Sequence, residues 1–137
     1  MVGLVIVAHG NLGEELLKVA ETIVGKIENA AAVSVGSMAE VDKAKDEVGA
    51  AIKRTGDKDG VLVLTDMFGG TPSNLALGFL DEDNIEVVTG VNLPMVIKFA
   101  NHRKDKGLGE IAHIVREGGL KSIILASDML QKKAKQP

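Results

Sequence analysis

The sequence predicts an α/β fold, a doubly wound and mostly parallel sheet with helices on both faces. Three observations lead there. Short apolar runs rich in β-branched residues lack polar alternation, the pattern of strands buried on both faces. Stretches with apolar residues at helical spacing separate them. The strand-helix alternation returns every roughly 25 to 30 residues, which implies βαβ units.

The first strand is expected over residues 2–8, ending at His9 and Gly10. A helix follows over 12–24, its inner face written by Leu12, Leu16, Val19, Ala20, Ile23 and Val24; Gly25 or the Glu28–Asn29 pair stops it. Residues 31–35 form the second strand and 38–54 the second helix, with Val41, Ala44, Val48, Ala51 and Ile52 inward. The turn-forming residues of 55–60 lead into the third strand, 61–65, which ends at Asp66. A short helix is predicted over 72–80, with Thr71 as N-cap and Pro72 in the first turn. The fourth strand is 85–89. A helix from near Pro94 then ends around 103–107, a basic terminus that suits the helix dipole. Residues 108–116 form a further helix, and Gly118 and Gly119 break it before a fifth strand at 120–126. Residues 1–126 are expected to be one domain, and 127–137 a polar C-terminal tail that frays.

Composition narrows the function. A chain of 137 residues buries a core without covalent staples. With no Trp, no Tyr and three Phe, it offers little for stacking nucleic-acid bases. A net charge of −3 gives no attraction for polyanions or a membrane surface, so neither a nucleic acid nor a direct membrane contact is expected. Zero cysteines exclude disulfides, thiolate zinc sites and a Cys nucleophile. The first residues lack the basic region of a signal peptide, and no apolar run approaches the roughly 20 residues of a membrane helix. A cytoplasmic domain is the expectation.

Three elements carry chemistry. His9 stands at the carboxyl end of the first strand, where open α/β sheets bind ligands. Alone it also reads as a packing or capping histidine. Asp66 stands at the carboxyl end of the third strand and alone reads as a loop or capping aspartate. In a 2-1-3-4 strand order the two face each other across the switch crevice. The carboxylate then accepts from one ring nitrogen and leaves the other as a nucleophile. Third, Gly69 and Gly70 permit close approach to the backbone, and with Thr71, Pro72 and Ser73 they open a helix suited to phosphate oxygens.

The three together fit a covalent phosphohistidine better than the alternatives. A serine hydrolase wants a GxSxG elbow, which is absent. A metal site wants several convergent ligands, whereas His102 and His113 fall on helices elsewhere, so no metal or cofactor is expected. A chelatase-like metal enzyme using His9 and a receiver-like switch using Asp66 remain open as other classes. The receiver needs acidic Mg²⁺ ligands where this chain has Ala8, His9 and Gly10.

The stretches 4–10, 64–74 and 89–95, in this order, resemble the IIA component of the mannose-type bacterial phosphotransferase system, and the resemblance spans 1–126. It implies that His9 is phosphorylated on Nε2, that Asp66 holds its Nδ1–H, and that Gly69, Gly70, Thr71 and Ser73 receive the phosphoryl oxygens. The family often has Ser where Thr71 stands and commonly a bulky residue where Ser73 stands. It further implies phospho-HPr as donor, a IIB component as acceptor, and contact with the membrane only through the transporter. The implied sheet has order 2-1-3-4 with an antiparallel fifth strand exchanged in a homodimer. Residues 90–94 carry no chemistry readable from their types.

Overall fold

A computed structural model of the protein describes residues 1–36, 40–82 and 84–135. The elements run β1 (Gly3–His9), α1 (Leu12–Val24), β2 (Ala30–Val35), α2 (Val41–Thr55), β3 (Val61–Thr65), α3 (Thr71–Leu77), β4 (Ile85–Thr89), α4 (Leu93–His102), α5 (Leu108–Lys121) and α6 (Ala126–Lys135). The four strands are all parallel, in the order β2-β1-β3-β4. That is the predicted doubly wound order, with the crevice between β1 and β3.

Side-chain alternation along β1 and β3 divides the core in two. Leu4, Ile6, Leu62 and Leu64 face Phe99, Ile111 and Val115 of α4 and α5. Val5, Val7, Val61 and Val63 face Val48 and Ala51 of α2 and Ala76 of α3. Both central strands are therefore fully covered, which explains their unbroken apolar sequence. Burial of one such side chain is worth about 1.5–3 kcal/mol.

The expected start of the second helix, Met38, lies outside the described residues. The C-terminal third departs from expectation. Gly118 and Gly119 do not break α5, which continues to Lys121. A Cβ on Gly118 would lie 2.7 Å from Lys98 Cγ, and one on Gly119 would lie 2.6 Å from Met95 Cγ. The glycines serve close approach of α5 to α4, and that packing offsets the roughly 1 kcal/mol each costs in a helix.

The fifth strand expected at 120–126 is not formed in this single chain. The helix ends, Ser122 turns, and residues 123–125 follow without a ladder. Leu120, Ile123, Ile124 and Leu125 are all exposed, between 54% and 74%. The tail expected to fray instead contributes α6, while 136–137 lie outside the described residues. Among the described residues no helix is long and apolar enough to cross a membrane.

Candidate active site

Register places the two central strand ends side by side. Val7 of β1 pairs with Thr65 of β3, so His9 and Asp66 emerge together at the carboxyl edge. Asp66 Oδ2 accepts the His9 backbone N–H at 2.9 Å and lies 2.7 Å from His9 Nδ1. Its other oxygen accepts the Met67 N–H at 2.9 Å. The carboxylate is thus held by three donors while only 11% exposed; the imidazole is 50% exposed.

The two environments divide the labour. Burial pushes the Asp66 carboxyl up, but the His9 and Met67 hydrogen bonds and the nearby ring outweigh it, and the carboxyl is held below its ordinary value. An ionised carboxylate against Nδ1 keeps the proton there and leaves the Nε2 lone pair for chemistry.

Gly10, at φ +54°, turns the chain sharply after His9 and frees one side of the ring. Its N–H donates to the Val35 carbonyl and its carbonyl accepts from Ser34 Oγ at 2.6 Å, so β2 braces the loop. On the other side lies the β3–α3 turn. Gly69 takes φ +88°, open to Gly but strained for other residues. A Cβ on Gly70 would sit 3.3 Å from His9 Cε1. The turn therefore lies directly against the imidazole, as the predicted phosphate site requires.

The N-cap of α3 is Gly70, whose carbonyl accepts from Asn74; Thr71 is the first helical residue rather than the cap, so the helix begins one residue earlier than expected. Thr71 is half-buried beside Gly70. Ser73 is fully buried, on the same helix face as Ala76, which packs against the sheet. Among the described residues the buried Ser73 and Thr65 hydroxyls have no hydrogen-bond partner.

His102 ends α4, next to Arg103, whose guanidinium reaches Val2 at the amino end of the sheet. His113 lies in a groove beside Val88 and Thr89 of the β4 edge. Neither joins His9, and among the described residues no three His, Cys, Asp or Glu side chains converge as a metal would require.

Sequence reasoning left residues 90–94 unexplained, and the structure gives Asn92 two bonds. Its Oδ1 caps α4 through the Met95 N–H at 3.2 Å, and its Nδ2 donates to the Gly119 carbonyl at 3.3 Å. The preceding Val91 donates to the Thr65 carbonyl at 2.8 Å. An Asn three residues before Met95, followed by Pro94 at a first-turn position, was a readable cap signal. The contact with Gly119 was not.

The family model EIIA-man, described as PTS system fructose IIA component, matches residues 3–116. The PTS system mannose-specific EIIAB component of Escherichia coli K12 is 30% identical over 99% of this chain, which spans 43% of that relative's length. The PTS system fructose-specific EIIA component of Bacillus subtilis is 28% identical, over 96% of this chain and 91% of the relative. Among solved structures, phosphotransferase system component EIIA from Streptococcus agalactiae superposes with a TM-score of 0.83 at 25% identity, covering 93% of this chain and 99% of that one. The mannose/sorbose specific IIA subunit from Enterococcus faecalis gives 0.81 at 30% identity, over 90% and 93%. The sheet order, the crevice and these matches agree, and the chain belongs to the mannose-type IIA family of the phosphotransferase system.

Proposed function

We propose that the protein is a phosphohistidine carrier of a sugar phosphotransferase system, with His9 as acceptor. The observation that carries this reading is the 2.7 Å contact of His9 Nδ1 with Asp66 on a ring that is half exposed. One nitrogen is committed and the other is available at the surface.

The Nε2 lone pair attacks the phosphorus of a donor phosphohistidine in line with the breaking P–N bond. That bond's electron pair returns to the donor ring, and a new P–Nε2 bond forms. The positive charge arriving on His9 is balanced by Asp66, so no proton has to leave Nδ1. The phosphoryl oxygens then face backbone N–H groups of the Gly69–Gly70–Thr71 turn, preorganised donors that supply positive potential without a metal. In the second half-reaction an acceptor nucleophile attacks the same phosphorus and restores neutral His9.

HPr as donor and a IIB component as acceptor complete the reading, with the protein working in the cytoplasm. The reading includes a homodimer, supported by the exposed apolar run of residues 120–125, whose strand-forming composition finds no ladder partner among the described residues. A metal-dependent chelatase reading finds no support in the placement of His102 and His113.

Intact mass after incubation with a phosphoenolpyruvate-driven phosphohistidine donor tests the proposal. Wild type should gain one acid-labile phosphoryl group, His9→Ala none, and Asp66→Ala should gain it slowly while keeping the fold. Equal labelling of all three would place the acceptor elsewhere.

A further inference from the structure

We propose that Asn92 is a positioning residue that fixes where the C-terminal apolar segment, residues 120–125, leaves the body of the protein, and thereby sets how a second copy of the chain is received. The inference rests on the homodimer reading above and adds the residue that commits the segment to its path.

Five observations converge on it. Asn92 Nδ2 donates to the carbonyl of Gly119, the last residue of α5 that is buried. The next residue, Leu120, begins the exposed apolar run. Gly119 has no room for a side chain, because Met95 Cγ would lie 2.6 Å from its Cβ, so the end of α5 is seated on the first turn of α4. Asn92 also caps that turn through Met95 N–H, so one amide ties both helices at their meeting point. Finally, the loop carrying Asn92 is anchored on the crevice: Val91 N–H bonds the carbonyl of Thr65, the residue before Asp66.

The path from crevice to segment is therefore short: Asp66, Thr65, Val91, Asn92, Gly119, then the departing chain. Every link is a covalent neighbour or a described hydrogen bond. An apolar segment that must pair outside its own chain loses entropy on ordering, and a fixed point of departure lowers that cost for the encounter. Asn92 suits this because it presents an acceptor and a donor from one planar group. Aspartate at the same position keeps the acceptor for the cap but turns a carboxylate oxygen toward the Gly119 carbonyl, repelling it.

That chemistry separates capping from clamping. In sedimentation equilibrium across a concentration series, Asn92→Asp should self-associate about tenfold more weakly than wild type, the order of one lost hydrogen bond. Its phosphorylation endpoint at His9 should stay at the wild-type level, and its melting temperature at low concentration should fall only by what the intrachain bond to Gly119 contributes, the α4 cap being kept. Asn92→Ala should show the same weakening together with a lowered melting temperature, since it loses the cap as well. The double variant Ile123→Ser, Leu125→Ser reports on the segment itself and should abolish association. Wild-type association in Asn92→Asp, with loss in the double variant, would overturn the clamp and leave the dimer reading standing. A wild type that stays monomeric at every concentration would overturn the dimer reading and the clamp with it.

Discussion

The two ends of the sheet use charge in opposite ways. At the carboxyl end an ionised carboxylate meets an imidazole that is half exposed, and the pair leaves one nitrogen unused. At the amino end Arg103 is 4% exposed and forms no salt bridge with a carboxylate among the described residues. Its guanidinium donates to the carbonyls of Val2 and Glu28 and lies over the Phe99 ring at 4.7 Å. Burial pushes Arg103 below its ordinary range, partly offset by Glu28, yet an arginine stays charged at such a site. Every donor of Arg103 that the structure shows is spent on the backbone where β1 begins and β2 approaches. The amino end is built to hold, the carboxyl end to react.

Substitutions should separate the two ends cleanly. The largest effect belongs to the reactive end: Asp66→Asn should slow phosphoryl transfer to His9 by about 10²-fold or more, through the wrong tautomer. Quench-flow with a phosphohistidine donor reads this, and the loss in unfolding free energy should be limited to what the lowered Asp66 carboxyl contributes. Arg103→Met should do the reverse. Losing the donors to Val2 and Glu28 should cost about 2–4 kcal/mol in denaturant unfolding, with the transfer rate of the folded protein unchanged. A slowed transfer in Arg103→Met would break the comparison.

A smaller effect is expected from Gly70→Ala. Gly70 has φ −90°, which alanine adopts freely, so only the 3.3 Å approach to His9 Cε1 is at issue. Displacing the ring by a few tenths of an ångström should slow transfer about tenfold with little change in stability. The smallest effect is on pH dependence. The Asp66 carboxyl is held below its ordinary value, so the unfolded chain takes up its proton first as pH falls. Its stabilisation is complete above about pH 4 and drains away below that, as pH passes through the lower native value. The stability difference between wild type and Asp66→Asn should therefore shrink on acidification from about pH 5 to 3, whereas that of Arg103→Met should not follow the same curve.

Much of this was legible in the chain. β3 and β4 fall at the predicted residues: β3, buried on both faces, is written as an almost unbroken apolar run, and the half-buried edge strand β4 as a run rich in β-branched residues. The meeting of His9 with Asp66 followed from strand order, since neighbours in the sheet share their ends. The C-terminal third resisted. Gly118 and Gly119 carry a helix-breaking signal that only contact with Met95 and Lys98 overrides, and no local pattern records that contact. Residues 120–125 read as a strand because of their composition, but a strand is a pairing and this chain alone offers them none. Ser73 was legible only in part: a serine in a glycine-rich turn reads as a ligand residue, and no local pattern records that it is fully buried on the Ala76 face of α3.

The single oxygen that takes both N–H groups of His9 has a consequence for traffic. Main chain and ring of one residue are latched to the same atom, so the imidazole cannot swing without releasing the backbone too. For the carrier proposed above, this means the cargo would not travel on a swivelling arm. Donor and acceptor have to arrive along one line of approach and present themselves to the same few square ångströms. They exclude each other, and delivery becomes a matter of taking turns, with each visitor's departure as much a part of the cycle as the transfer itself.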